Sequence, residues 1–534
     1  MSSGNIERAR QGGLDVRDRS SRLLLVLFVV VGFAISLSIA MFSGSSEYAG
    51  LLVAVGLLLA IPVIALMVRA FPEAMSALKI LKANWTWWHP LWLCIYVSTM
   101  VFRIRDVGSG QGNLLDGWAM LRILPESFVS IALITRLILK KPNWRGSLFR
   151  GIPSALTIYC LVSIASCAWS VNAAWTAYKS LEFLADVSLL AAVVASAEGF
   201  FTYENLVNWT LTFYGLSLVG VWINLPIWPT EAMDGDRLTG VFPVEASNSV
   251  GTSGAVLAIV AFCRLMPAFG AARNRAWYTL LFVFGIASMV LSKTRNAEAA
   301  FLFGVAVAVM FSQRLRKKAI WAAVALAPIL ALLVAMNHDL PKSAYDVTMS
   351  AVNRDQAEGA IGTLSGRTGW WEFGLQQLSH HPLTGMGAYA AGRFAVLGKL
   401  GVGTASMMHS DWIEVVIGTS FWGLIPFAAA LILTWWYLFR CIRNPIFTAE
   451  QRQLAIELFA LLGLLTLHSF FNDELAWHCP LLYFAILGYA EFIRTYPKIV
   501  LRPGVQLHRF GPEDLLVPQR NTVSAFHKLS TDNN

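Results

Sequence analysis

The sequence predicts an all-α, polytopic membrane protein: a helical bundle of about 12–14 transmembrane helices with one long, partly helical outer loop. Three observations predict it. Of 534 residues, 56% are hydrophobic and only 14% are charged, where a soluble domain carries about a quarter charged residues. Many apolar runs reach the ~20 residues that a helix needs to cross hydrocarbon. Segments this apolar must span as helices, because lipid offers no partner for an open backbone. Basic residues, finally, collect in alternate connections between the runs.

Residues 1–22 are polar and carry Arg8, Arg10, Arg17, Arg19 and Arg22, as expected of a cytoplasmic N-terminal tail. The N-terminal membrane part, 23–150, starts with runs near Leu23–Met41 and Gly50–Val68. The first run shows no small-residue cleavage site and reads as a true span. A short run, Pro90–Phe102, precedes the Gly/Asn-rich loop Asp106–Asp116. The run near Ala119–Leu139 contains Arg122 and Glu126, so its start is expected to face protein or water.

The central membrane part, 151–336, has runs near Ile152–Ala168, Leu181–Ala197, Leu206–Leu225, Val250–Met266, Trp277–Leu291, Ala297–Phe311 and Ala319–Met336. The polar loop, 337–410, is long enough to fold by itself. Ser365 is placed to cap a short helix that runs to about His380, where Pro382 blocks extension. A C-terminal membrane part, 411–493, has runs near Trp412–Leu438, Leu454–Phe471 and Pro480–Ile493, and 494–534 form a second tail.

With the N-terminus placed in the cytoplasm, the Lys/Arg-rich connections at 69–82, 140–150, 264–275, 314–318 and 440–452 all fall inside, as does the C-terminal tail. Fourteen spans satisfy this count; twelve do if two short segments are re-entrant or interfacial. The net charge of +9 is then an inside-positive bias, and nucleic-acid binding is not expected. Cys94, Cys160, Cys167, Cys263, Cys441 and Cys479 lie in or beside apolar runs with no Cys-x-x-Cys spacing, as small core residues do.

The same count puts Arg237, Arg295 and His409 on the outer side. Each arginine has a bland reading, an interfacial guanidinium that snorkels to water. Cations at membrane depth are nevertheless expensive and usually face a cavity or a partner. Two or three on one face predict an anionic ligand such as a diphosphate, which the guanidinium fork suits. Lys293 lies beside Arg295. His409 ends the polar loop, and imidazole titrates near working pH.

Five segments, in order, resemble the O-antigen ligase and O-antigen/exopolysaccharide polymerase superfamily of bacterial membrane glycosyltransferases. They are Trp169-Ser170-Val171-Asn172; Arg237-Leu238-Thr239-Gly240 followed by Asn248; Ser292-Lys293-Thr294-Arg295; Ser365-Gly366-Arg367 with Trp371 and then His381-Pro382-Leu383-Thr384-Gly385-Met386-Gly387; and His409-Ser410 with Gly423-Leu424. The resemblance covers about residues 150–490. It departs at Ser420, where family members often have glycine, a difference expected to concern helix packing.

The resemblance implies transfer of a glycan from an undecaprenyl-diphosphate carrier to an acceptor hydroxyl. That acceptor is another glycan, in polymerisation, or lipid A-core, in ligation, within lipopolysaccharide or exopolysaccharide synthesis for the cell envelope. It implies a multi-pass protein of the bacterial inner membrane with a periplasmic active site, both termini cytoplasmic, and neither metal nor cofactor. The residues it carries over are Arg237, Arg295 and His409 as catalytic groups. Arg367 is a lesser candidate, either binding substrate or holding the loop. Trp370 and Trp371 have the alternatives of sugar stacking and core packing, and Lys293 joins the substrate-binding set.

Other polar residues have structural readings. His380-His381 sits where a helix ends. Asp411 and Glu414 follow His409 without a His-Glu-x-x-His spacing. His468 and His478 flank Asn472-Asp473-Glu474 and are placed to line a cavity. A different function class, a transporter or flippase of lipid-linked oligosaccharide, predicts matched internal repeats, and none is evident.

Overall fold

The computed structural model describes residues 65–79, 85–100, 117–140, 144–197, 199–265, 274–312, 316–317, 320, 367–401, 407–476 and 480–500. The N-terminal tail, residues 501–534, the run near Leu23–Met41, all but residue 320 of the run near Ala319–Met336, nearly all of Gly50–Val68, the first part of the polar loop with Ser365, and His478 lie outside these residues.

The described chain is almost wholly helical. Its helices are α1 (His89–Thr99), α2 (Gly117–Lys140), α3 (Trp144–Leu148), α4 (Gly151–Ala165), α5 (Ala173–Ser196), α6 (Phe200–Ile227), α7 (Ser247–Leu265), α8 (Arg275–Leu291), α9 (Arg295–Phe311), α10 (Arg367–Ser379), α11 (Asp411–Arg443), α12 (Ala449–Ser469) and α13 (Leu481–Val500). Among the described residues, four segments are long and apolar enough to cross a membrane: Gly151–Ala168, Phe200–Ile227, Ser247–Leu265 and Asp411–Arg443; Arg275–Leu291 is apolar but shorter. The chain is an all-α polytopic membrane protein.

Close backbone approach, not bulk hydrophobicity, packs helices in lipid. Gly254 of α7 meets Gly285 of α8, where a Cβ on either would lie 2.6 Å from the other's carbonyl oxygen. Gly304 brings α9 against α12, its Cβ position 2.9 Å from the Ala460 carbonyl. Gly251 seats the turn after α8 on the start of α7, because a side chain there would strike Ser292 and Thr294. Helices α7, α8, α9 and α12 are thereby locked with the α8–α9 turn over the first residues of α7.

The polar start of α2 faces protein, as its charges predict. Ser98 donates to Glu126, and Arg122 Nε donates to the Ser98 carbonyl at 3.1 Å. A buried pair ties α7 to α12: Arg264 Nε and Nη2 donate to Glu457 at 2.9 and 2.7 Å, and Nη2 also reaches Asn208 Oδ1 on α6 at 2.9 Å.

The described half of the polar loop is built into the bundle. Met386, Ala391, Ala395, Val396 and Leu397 form a buried cluster with Met408 and with Ile417 of α11, and Ala391–Leu397 is a π-helical turn. What makes room for it is a break in α11. Ser420 has φ 54° and ψ −150°, so the helix is interrupted there. The carbonyls of Ile417 and Gly418 accept instead from Met386 N and Gly387 N, both at 2.9 Å. Buried backbone groups need partners, and the loop supplies the ones the helix loses.

Candidate active site

The connection between α6 and α7 folds as two antiparallel hairpins, β1 (Met233–Asp234) with β2 (Arg237–Leu238), then β3 (Gly240–Val241) with β4 (Val244–Glu245). An Asp-Gly turn with Gly235 at φ 64° closes the first, the left-handed conformation glycine adopts without penalty. Arg237 is thereby presented from a short, fixed ribbon. Its Nε donates to the Ser292 carbonyl at 3.3 Å and its Nη2 to Asn248 Oδ1 at 3.4 Å.

Ser292 ends α8, and three residues later Arg295 opens α9. Thr294 Oγ1 donates to the Ser247 carbonyl at 3.0 Å, so the first turns of α7 and α9 adjoin. Helix N-termini carry unpaired N–H groups and partial positive charge, which favours an anion. Arg237 and Arg295 therefore sit where two such ends meet.

The other side of the site is the start of α11. Ser410 caps it, accepting from Ile413 N, and Asp411 accepts from the backbone N–H groups of Glu474, Leu475 and Ala476 at 2.8, 2.8 and 2.9 Å. This clamp fixes the segment after α12 beside His409. His409 Nδ1 lies 3.3 Å from Asn472 Oδ1, and the ring lies over Trp370, centroids 6.3 Å apart. His409 has φ 52°, a conformation costly for a non-glycine residue and concentrated at functional sites.

Arg367 joins the two halves. Its Nη1 donates to the Phe471 carbonyl at 2.5 Å. Burial lowers the pKa of its guanidinium, an effect the Asp473 carboxylate opposes and the Arg237 guanidinium reinforces. His409 feels the same charge. Burial first and Arg367 second lower its imidazole to about 4, against the opposing bond to Asn472. The ring is therefore neutral at pH 7 and keeps a free lone pair. Asp473, whose buried oxygens have no hydrogen-bond partner, is pushed well up by burial and by Asp411, Glu414 and Glu474, with Arg367 opposing.

Residues 280–428 match a family model described as O-antigen ligase. Over these residues the chain is similar to the O-antigen ligase family. Among curated proteins nothing matches the chain. The match supports a function of O-antigen ligase or polymerase type in surface-polysaccharide synthesis, with an enzymatic role in glycan transfer.

The O-antigen ligase segment contains Arg295, Lys293, Arg367, Trp370, Trp371 and His409, while Arg237 and Asn472 come from outside it. The structure sorts these residues. Arg237, Arg367 and His409 gather with the start of α9 at one end of the bundle. Lys293 is ion-paired with Asp236 on the β1–β2 turn. Trp371 donates from Nε1 to the Met408 carbonyl at 2.8 Å and packs on the buried loop cluster, which is the scaffold reading. Trp370 packs on the same cluster and lies over His409.

The remaining motifs are architectural. Trp169 Nε1 donates to the Thr384 carbonyl at 2.9 Å, and Val171 N to the Met386 carbonyl at 3.0 Å. Gly387, at φ 102°, lies so close that a Cβ would sit 2.1 Å from Ser170 Oγ. The Trp-Ser turn thus receives the Gly385–Gly387 segment. His380 and His381 are exposed at the end of α10. Ser420 holds a backbone shape that glycine holds without strain, so its departure from the family pattern concerns conformation more than packing. Among the described residues no group of three His, Cys, Asp or Glu side chains is arranged to hold a metal ion.

The sequence does not reveal that Asn472 adjoins His409 or that Asp411 clamps the segment after α12. The available signal was its position as first residue of α11, where a carboxylate is favoured.

Proposed function

We propose that this protein transfers a glycan from an undecaprenyl-diphosphate carrier to an acceptor hydroxyl at the periplasmic face of the inner membrane. The acceptor oxygen attacks the anomeric carbon, the bond from that carbon to the diphosphate breaks, and the hydroxyl proton passes to His409. The departing diphosphate carries the growing charge to Arg237 and Arg295, with Arg367 beside them. Preorganised donors of this kind contribute about 3–4 kcal/mol each, and a general base gives about 10²–10⁴-fold.

The observation that carries this reading is the meeting of Arg237, the α9 start with Arg295, and a neutral imidazole at His409 on one end of the bundle. A charge-lined anion site and a proton acceptor side by side suit group transfer better than passage of an intact lipid-linked glycan.

The test is complementation with glycan readout by His409→Ala, His409→Gln and Arg295→Ala. All three are expected to abolish product while the lipid-linked precursor accumulates on the outer face. Precursor trapped on the cytoplasmic face would instead identify a flippase. Normal product from His409→Gln would remove the base role.

A further inference from the structure

We propose that Asn472 is the positioning residue of this site: held by Glu474, it fixes which ring nitrogen of His409 carries the proton and turns Nε2 toward the acceptor hydroxyl. The inference rests on the reading of His409 given above and extends it to a residue outside the O-antigen ligase segment.

The argument is one of donor and acceptor bookkeeping along three side chains. Asn472 Nδ2 donates to Glu474 Oε1 at 3.2 Å. A carboxylate oxygen accepts, so the amide must turn its nitrogen toward Glu474 and its Oδ1 away. That Oδ1 is the atom 3.3 Å from His409 Nδ1. An amide oxygen can only accept, so Nδ1 carries the hydrogen, and in the neutral ring Nε2 is left with the lone pair. The carboxylate thus decides an amide orientation that the amide alone leaves open.

Asn472 is itself fixed from both directions. Asp411, two residues after His409, clamps the backbone of Glu474, Leu475 and Ala476, so histidine and asparagine are held as one unit. On the far side, His468 Nδ1 lies 3.1 Å from the same Glu474 Oε1, and His468 Nε2 lies 3.0 Å from Thr252 Oγ1. Thr252 Oγ1 reaches the Asn248 carbonyl at 2.9 Å, and Asn248 Oδ1 receives Arg237. His468 Nδ1 makes no hydrogen bond, so the hydrogen-bonded links run from His468 Nε2 through Thr252 and Asn248 to the Arg237 guanidinium. The charged groups that face His409 are Arg367 from α10 and, through Asn472, Glu474 from the segment after α12.

The test uses the full chain in lipid nanodiscs with an undecaprenyl-diphosphate-linked glycan as donor. A second molecule of that donor and lipid A-core serve as two acceptor probes. Asn472→Leu is expected to lower kcat about 10–100-fold, the order found when a partner that orients a functional histidine is removed, with KM for donor changed less than about 2-fold. Asn472→Asp, nearly the same shape, supplies a carboxylate that favours the imidazolium. It raises the His409 pKa, so the acid limb of the kcat profile should move to higher pH while activity at alkaline pH is retained.

A purely structural role would lower activity at every pH without moving the limb. Both variants at wild-type kcat with an unshifted profile, beside an inactive His409→Ala, would overturn the positioning role and leave the glycosyl-transfer reading standing. Wild-type protein giving no product with either acceptor would overturn both. Should Asn472→Leu lower the thermal transition, Asn472→Asp alone decides.

Discussion

Arg237 Nε donates to the Ser292 carbonyl across 3.3 Å, pinning the hairpin that carries one arginine to the turn that launches the helix carrying another. The two guanidiniums are therefore not independent surface charges. They share a wall whose geometry depends on the fork of Arg237, since a second arm reaches Asn248 Oδ1. Arg237→Lys keeps the charge and loses both anchors. Its turnover at saturating donor is expected to fall about 10²–10³-fold, the order seen when one preorganised donor is removed. Wild-type turnover in the lysine variant would mean that a mobile point charge suffices.

The pH dependence of the free enzyme follows from the neutral imidazole. Its pKa is about 4 in the folded protein, lowered by burial and by Arg367, against an ordinary value near 6.5. A lowered value keeps His409 unprotonated as pH falls through 6.5, so kcat/KM should hold from pH 7 down to about pH 5 and decline only near pH 4. Arg367→Gln removes a cation that disfavours the imidazolium, and its acid limb should begin at higher pH. A wild-type limb centred near 6.5 would contradict this environment for His409.

The spans were legible because they are long and apolar: the expected runs near Leu206–Leu225 and Val250–Met266 appear as Phe200–Ile227 and Ser247–Leu265. Arg237 and Arg295 stand out in the sequence because they break an otherwise regular charge bias. Less legible was anything set by backbone geometry across the chain. The polar composition of 337–410 points to a segment able to fold alone, yet Met386, Ala391, Ala395, Val396 and Leu397 are buried against the bundle. Their docking depends on two carbonyls released by one unusual φ at Ser420, and no periodicity in the sequence signals that. Asn472 was equally hidden, since its role is written only in the orientation of its amide between Glu474 and His409.

Ser420 offers a direct test of the break in α11. Its φ of 54° with ψ of −150° lies in a region essentially reserved for glycine, at a cost of order 1–3 kcal/mol. Ser420 Oγ recovers part of that by donating to the Pro382 carbonyl. Ser420→Gly removes the strain along with the hydroxyl and should hold or raise the thermal transition. Ser420→Val adds a β-branched side chain at positive φ and should lower it, together with activity, by unseating Met386 and Gly387 from Ile417 and Gly418. Equal transitions for the two variants would show that the break does not constrain the residue.

The Arg264–Glu457 pair separates two ways in which a buried charge acts. The pair is bidentate, and Glu457 is only 2% exposed. Removing one member leaves the other charged and without a partner, at a cost of about 3–5 kcal/mol. Replacing both with apolar side chains removes the desolvation penalty along with the attraction. Arg264→Met is therefore expected to lower the thermal transition in detergent sharply, and Arg264→Met with Glu457→Leu to recover most of the loss. The recovery should be incomplete, because Asn208 Oδ1 loses its donor in both variants. If the double variant is no more stable than the single one, the pair contributes net attraction that apolar packing between α7 and α12 does not replace.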